Sequence, residues 1–327
     1  MSQPKVITLT PTALDRNGIS TTETLLATRL DYLINGALST GYDRDGICTA
    51  QTTAASAALT LDGALGTDFR GRRGVYVLIY AASADNTGIT FEVVGKSDRP
   101  NRGRTGANRI TETITGPDNG LIVLGSTKFY SIDSITSSAA VDGNVEVGVN
   151  GYCEFSTPQH VAMYSAGDDS GDTYTPRGYD RYGRAITDSI TGANAGTSST
   201  QDMNFAWVDR ITSSSASAGA VEAGVDGLCE SAWYVLNYRG PNFNVGVGCD
   251  VSSGASLTYA VQHTFNNVMA STFTDETSAT VHTHDTIVNQ TGSSDGNYTN
   301  PPAAMRLALT VHSSGSANAR VIQAGRA

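Results

Sequence analysis

The chain has 327 residues, with 31 acidic against 21 basic side chains and a net charge of −10, and only 16% of its positions are charged. A length of this order predicts two or three domains, each with a core large enough to fold without disulfide staples. The acidic balance excludes a surface built to wrap nucleic acid, because phosphate neutralisation needs clustered Lys and Arg, and Lys occurs only at Lys5, Lys96 and Lys128. No run approaches 18 apolar residues, and the start lacks a basic stretch followed by an apolar one. The expectation is therefore no membrane span and no secretory leader. Cys48, Cys153, Cys229 and Cys249 form no C-x-x-C pair, which with no leader predicts free thiols and a cytosolic origin.

In chain order, Asp15–Leu38 (DRNGISTTETLL…) resembles Asp43–Leu65 (DRDGICTAQTTA…). Within the first of these, Thr21–Ile34 offers Leu26, Leu30 and Leu33 on one helical face, but its partner reads as extended, and an extended or irregular segment is favoured. VYVLIY (75–80) is a continuous apolar run, the mark of a strand covered on both faces. Val77–Gly95 aligns with His160–Gly178 at an offset of 83. Ile110–Glu154 then aligns with Ile186–Glu230 at an offset of 76, without a gap and with 21 identities in 45 positions. Such a match is an internal duplication. The intervening loops carry the Arg groups RGRR (70–73) and RPNRGR (99–104), which read as solvated turns before phosphate sites. The order of the repeats predicts one domain inserted into a loop of another: 42–155 as the inserted copy, and 1–41 plus 156–327 as the outer domain. The outer domain comprises a repeat copy at 156–230 and C-terminal strands at 231–327.

VEVGV (145–149), VEAGV (221–225) and FNVGVGCDV (243–251) alternate apolar with small or polar residues, the period of a half-buried strand. Leu257–Phe265, Met305–Val311 and Ala319–Gly325 continue the pattern. Turn signals such as GPDNG, VDGN and SSDGN separate them. The predicted class is all-β: tandem or nested antiparallel β-sandwiches of jelly-roll or Ig-like type, a duplicated module and little helix.

Candidate chemistry is sparse. In VHTHD, His282 and His284 stand two apart and are able to share a metal, most readily where chains meet on a symmetry axis, but no third ligand is evident; the favoured reading is two surface imidazoles, with no metal or cofactor. Cys153 and Cys229 occupy equivalent repeat positions, which suits small core residues better than nucleophiles, and Cys48 aligns with Ser20. The duplicated acids Asp133/Asp209 and Glu146/Glu222 raise a glycosidase pair but read as turn caps or ladder partners. No catalytic residue is assigned and no enzyme is expected. The Tyr-rich loop YTPRGYDRYGR (174–184) places Tyr179, Arg181 and Tyr182 together. They are candidates for a subunit interface or, less favoured, for stacking on a sugar.

The motifs D-R-[ND]-G-I, ITETITGP, VEVG, FNVGVGCDVSSGASLTYAVQHTFNNV and NYTNPPAAMRLALTV…ARVIQAG, which span most of the chain, resemble those of structural proteins of tailed-bacteriophage virions. The resemblance implies a non-enzymatic virion component assembled in the host cytoplasm. It implies as partners the major capsid protein or other virion proteins and further copies of itself, with a trimer favoured, and neither nucleic acid nor membrane. The leading expectation is a decoration or cement protein bridging capsomers on the head exterior, where the acidic charge fits better than in a DNA-lined interior. The alternatives are a neck, collar or tail component holding a fibre, and a carbohydrate- or receptor-binding module.

Overall fold

The computed structural model describes residues 5–11, 15–24, 31–32, 39–40, 43–69, 74–97, 109–196, 198–200, 203–238, 243–270, 273 and 278–323, and for 15 and 17–40 and 198–200 no side chains. The Arg groups at 70–73 and 99–104 and most of the ambiguous segment 21–34 lie outside these residues. The described chain is all-β, antiparallel throughout and without an α-helix. It divides into two compact units: Met1–Tyr32 with Gly36–Leu38 and Cys153–Ala327, and Leu33–Asn35 with Ser39–Tyr152. No helix among the described residues is long and apolar enough to cross a membrane.

In the larger unit the first strand, β1 (Lys5–Leu9), pairs with the last, β27 (Ala317–Gln323). β2 (Asp15–Thr24) and the two-residue strand β3 (Asp31–Tyr32) follow in this unit, and the two-residue strand β4 (Ser39–Thr40) opens the main segment of the smaller one. The smaller unit packs two sheets face to face. One has the order β5-β11-β6-β9: β5 (Asp43–Gln51), β11 (Val145–Val149), β6 (Val75–Ala81) and β9 (Ile122–Phe129). The other has the order β10-β7-β8: β10 (Ser131–Ser137), β7 (Thr90–Lys96) and β8 (Arg109–Thr115). β6 is central and buried on both faces, as its unbroken apolar run requires. Ile47, Phe69, Phe91, Phe129, Ile135 and Val147 fill the space between the sheets.

The larger unit repeats this topology. β2, β19 (Ala220–Val225), β13 (Val161–Ser165) and β17 (Ser198–Thr200) stand in the order β17-β13-β19-β2. β18 (Phe205–Ser213), β14 (Thr173–Tyr179), β15 (Ala185–Thr187) and β16 (Ile190–Thr191) correspond to β10, β7 and β8. Register is conserved down to the irregularities. Gln51, Cys48 and Asp43 oppose Val145, Val147 and Val149, and Glu23, Ser20 and Asp15 oppose Val221, Ala223 and Val225.

The ladders correct one alignment. Val77 opposes Val149, and Val161 opposes Val225, so β6 and β13 match at an offset of 84. Gly95 and Gly178 oppose Ile132 and Val208, at 83. The smaller unit therefore holds one extra residue in the turn between Ala82 and Asn86. A shift of one residue reverses every side chain in a strand, so Val77 answers to Val161, and His160 answers to Tyr76.

The strands after Asp226 do not continue the repeat. β20 (Cys229–Glu230), β21 (Tyr234–Val235), β22 (Val245–Val251), β23 (Ser256–Thr264), β24 (His282–Thr283), β25 (Ser294–Tyr298), β26 (Ala304–Ser314) and β27, with β1, form a further pair of sheets. Leu9, Val247, Tyr259, Ile287, Met305 and Val321 build its core. The segment following each repeat copy thus feeds the next sheet. β12 (Tyr152–Gln159) pairs Cys153 with Val208 and Glu154 with Trp207, while β20 pairs Cys229 with Leu309 and Glu230 with Ala308.

Candidate functional site

The shared residues that have chemistry in them are used by the frame. The Arg44 guanidinium lies 4.1 Å over the Tyr80 ring and 2.5 Å from the carboxylate of Glu146. The equivalent Arg16 lies 5.2 Å over Tyr164. The Arg of each DR-x-G motif is thereby a lid on the outer face of its sheet. The duplicated Asp133 and Asp209 differ in environment, the first exposed and the second buried. All four thiols are buried and none forms a disulfide. Burial, helped by the charge of Asp62, pushes Cys48 up to about 12, and burial pushes Cys249 up to about 12 and Cys229 upward as well. A thiol so far above neutrality is a poor nucleophile.

One polar cluster has no counterpart in the smaller unit. His160 Nε2 is 3.3 Å from Glu230 Oε2, and Nδ1 is 3.6 Å from Asp226 Oδ2. Asn204 Nδ2 donates to Glu230 Oε2 at 2.6 Å, and Arg181 donates to the Glu230 carbonyl. At the matching positions of the first repeat stand Tyr76, Asn150 and Lys128 in the smaller unit and Glu154 on the strand that leaves it. Burial alone would push His160 down, but the hydrogen bonds and charges of Asp226 and Glu230 outweigh it and hold the imidazole at about 10. Burial would likewise raise Glu230, but His160, Arg306 and Asn204 hold it at about 2. Glu230 sits on β20, in the last sandwich with Arg306, and its hydrogen-bonding partners His160, Asn204 and Arg181 sit in the repeat copy. The cluster is a weld between two sandwiches of the larger unit.

The Tyr-rich loop turns between β14 and β15. The buried Asp180 carboxylate accepts from the backbone N–H of Tyr182 (2.8 Å) and Arg184 (2.9 Å) and from Arg184 Nε (2.7 Å). Tyr179 stacks on its cross-strand partner Trp207, ring centroids 4.4 Å apart, so one face of that ring is taken within the sheet. Tyr182 is 54% exposed with the Arg184 guanidinium 4.9 Å over its ring. Tyr182 and Arg184 line an apolar cleft of about 290 Å³ with Trp233, Val268, Met269 and Phe273. The loop was legible in the sequence; Trp233 and Met269, distant along the chain, were not.

The two imidazoles of VHTHD part company. His282 is exposed and stacks on its cross-strand partner His263, centroids 5.5 Å apart. His284 is 5% exposed and packs against Tyr298 at 4.7 Å. Its Nδ1 accepts from the backbone N–H of Thr286 at 3.1 Å and Ile287 at 3.3 Å. Among the described residues no three His, Cys, Asp or Glu side chains stand together to hold a metal within one chain. His263 and His284 instead line a polar cleft of about 240 Å³ with Phe265, Asp285, Asn297 and Tyr298. Burial, then the neighbouring His282 and His284, hold His263 below the usual imidazole range.

No family model, no curated protein and no solved structure matches this chain.

Proposed function

We propose that this chain is a non-enzymatic structural component of a tailed-bacteriophage particle, a decoration or cement protein that bridges capsomers on the head exterior as a homo-oligomer. The observation that carries this reading is the use made of the duplicated residues. The Arg, Glu, Cys and Gly that the two copies share are committed to lids, ladders, core and turns, and the segment leaving each copy is built into the next sheet. Selection for such a frame favours a protein whose work is to hold neighbours together. The motif resemblance to virion proteins points the same way, and the net charge of −10 suits an outward-facing surface. Contact with a neighbour falls to the apolar cleft rimmed by Tyr182 and by Met269, which is 75% exposed; Tyr and Arg are common anchors of interfaces.

The test is a comparison of phage particles made with and without the chain. Heads lacking it release their genome at a lower temperature, and adding back purified chain restores the threshold. Met269→Ala, at a site with no part in the core, restores it less well. Heads equally heat-resistant with and without the chain contradict the cement role.

A further inference from the structure

We infer that the cleft at the end of the last sandwich, around Phe265, binds one ring of a neutral sugar. Phe265 directly follows β23 and is 60% exposed. It is held edge-on against His263 and His282, with centroids 5.6 Å from each. Beyond those two edge contacts most of the ring stays exposed, which leaves an apolar face for a ligand to cover. The apolar C–H face of a pyranose covers such a ring without drying its own hydroxyls.

The opposite walls supply the polar half of the site. Asp285, Asn297 and Asn300 line the cleft, and their side chains make no hydrogen bond to any described residue. They offer one carboxylate acceptor and two amides, each donor and acceptor at once. That combination suits hydroxyls, which also do both. The lining contains no Lys or Arg, so a phosphate or carboxylate ligand would meet Asp285 without a compensating cation. At about 240 Å³ the space falls below that of drug-sized clefts and is in proportion to a single six-membered ring.

A buried group adds to this. His284 Nδ1 accepts backbone N–H groups, so the neutral ring carries its proton on Nε2. That atom is buried and has no hydrogen-bond partner in the protein. The residue carrying this unsatisfied buried donor forms part of the cleft wall. The Tyr179–Tyr182 loop differs on each count: one ring is already stacked, and its cleft is apolar with a guanidinium at the mouth. A sugar is better served at Phe265.

The experiment is saturation-transfer NMR and calorimetry on the full chain with methyl glycosides of glucose, galactose, mannose and N-acetylglucosamine, with glucuronic and sialic acids alongside. The expected result is binding of at least one neutral glycoside, weakened tenfold or more by Phe265→Ala and by Asn297→Ala while thermal unfolding is unchanged. The acidic sugars bind more weakly than their neutral counterparts. Absence of binding by every neutral glycoside, binding indifferent to Phe265→Ala, or preference for an acidic sugar overturns the inference. These outcomes leave the cement reading untouched, since that is decided on particles.

Discussion

Gly116 and Gly192, the glycines of the two ITG motifs, show why the repeated sequence kept its wording. A methyl group on either would overlap a carbonyl oxygen, that of Asn86 in one copy and of Asp169 in the other. Those two residues are 0% and 1% exposed. They do the same work: Asn86 Oδ1 accepts from the Asp142 N–H at 3.0 Å, and Asp169 Oδ1 from the Ala218 N–H at 2.5 Å. Gly116→Ala and Gly192→Ala are each expected to cost about 1–3 kcal/mol in denaturant unfolding. Gly88→Ala, with nothing within 4 Å, should change stability by less than about 0.5 kcal/mol. A neutral Gly192→Ala would contradict the packing described. The sequence marked these glycines as shared, but their carbonyl partners lie in another turn and carry no signal of proximity. The His160 weld makes a prediction in pH. Glu230, held at about 2 against an ordinary 4.5, contributes stability that is present above 4.5 and is lost as pH falls toward 2. His160, held at about 10 against 6.5, contributes stability that is full below 6.5 and is lost as pH rises through 10. The pair is one interaction, fully present between pH 4.5 and 6.5. His160→Gln should lower unfolding stability most in that window and flatten the alkaline limb; an unaltered alkaline limb would refute the assignment.

At the scale of elements, the strands with clear alternation or an unbroken apolar run were legible. Val245–Val251 alternates because one face is core, and Val75–Ala81 does not because both faces are covered. The same lack of alternation hid the one-residue offset between β6 and β13, since an apolar run aligns about as well one step over. The exit strands were hidden for another reason. Cys229–Glu230 is two residues long, and its identity with Cys153–Glu154 pointed to duplication without revealing that both join the following sheet. Phe129 and Phe205, equivalent and each 0% exposed, separate the copies experimentally. Phe129→Ala and Phe205→Ala should each cost about 3–5 kcal/mol. Hydrogen exchange should accelerate in 43–149 for the first and in the larger unit for the second; uniform acceleration across both would contradict separate cores. The thiols offer a milder probe. All four are buried in strands, so a thiol reagent at pH 8 should label none in the native chain and all four in denaturant. Labelling of Cys229 before unfolding would show that β20 is not held as described.

At the scale of the molecule, the chain is nested. It begins in the last sandwich with β1, enters the outer repeat copy with β2, passes into the smaller unit, and returns through the outer copy to the sandwich it started in. The repeat order in the sequence was enough to suggest insertion of one copy into the other. That the C-terminal strands recruit β1 was beyond reach, because β1 has no repeat partner. The candidate clefts were half legible: VHTHD and the Tyr loop stood out, whereas Phe265 read as the end of an ordinary strand, and Tyr298 and Trp233 carried no signal until the fold gathered them. The nested frame, the frame-bound duplicated residues and the net charge of −10 are the grounds on which we propose a particle component. The measurement that tests this proposal most directly is immunogold electron microscopy, with antibody against the purified chain, on phage particles from the source of the sequence. The account predicts label spread over the head surface. Label confined to one vertex or the tail would contradict the cement role, and absence of label from particles would contradict a structural role altogether.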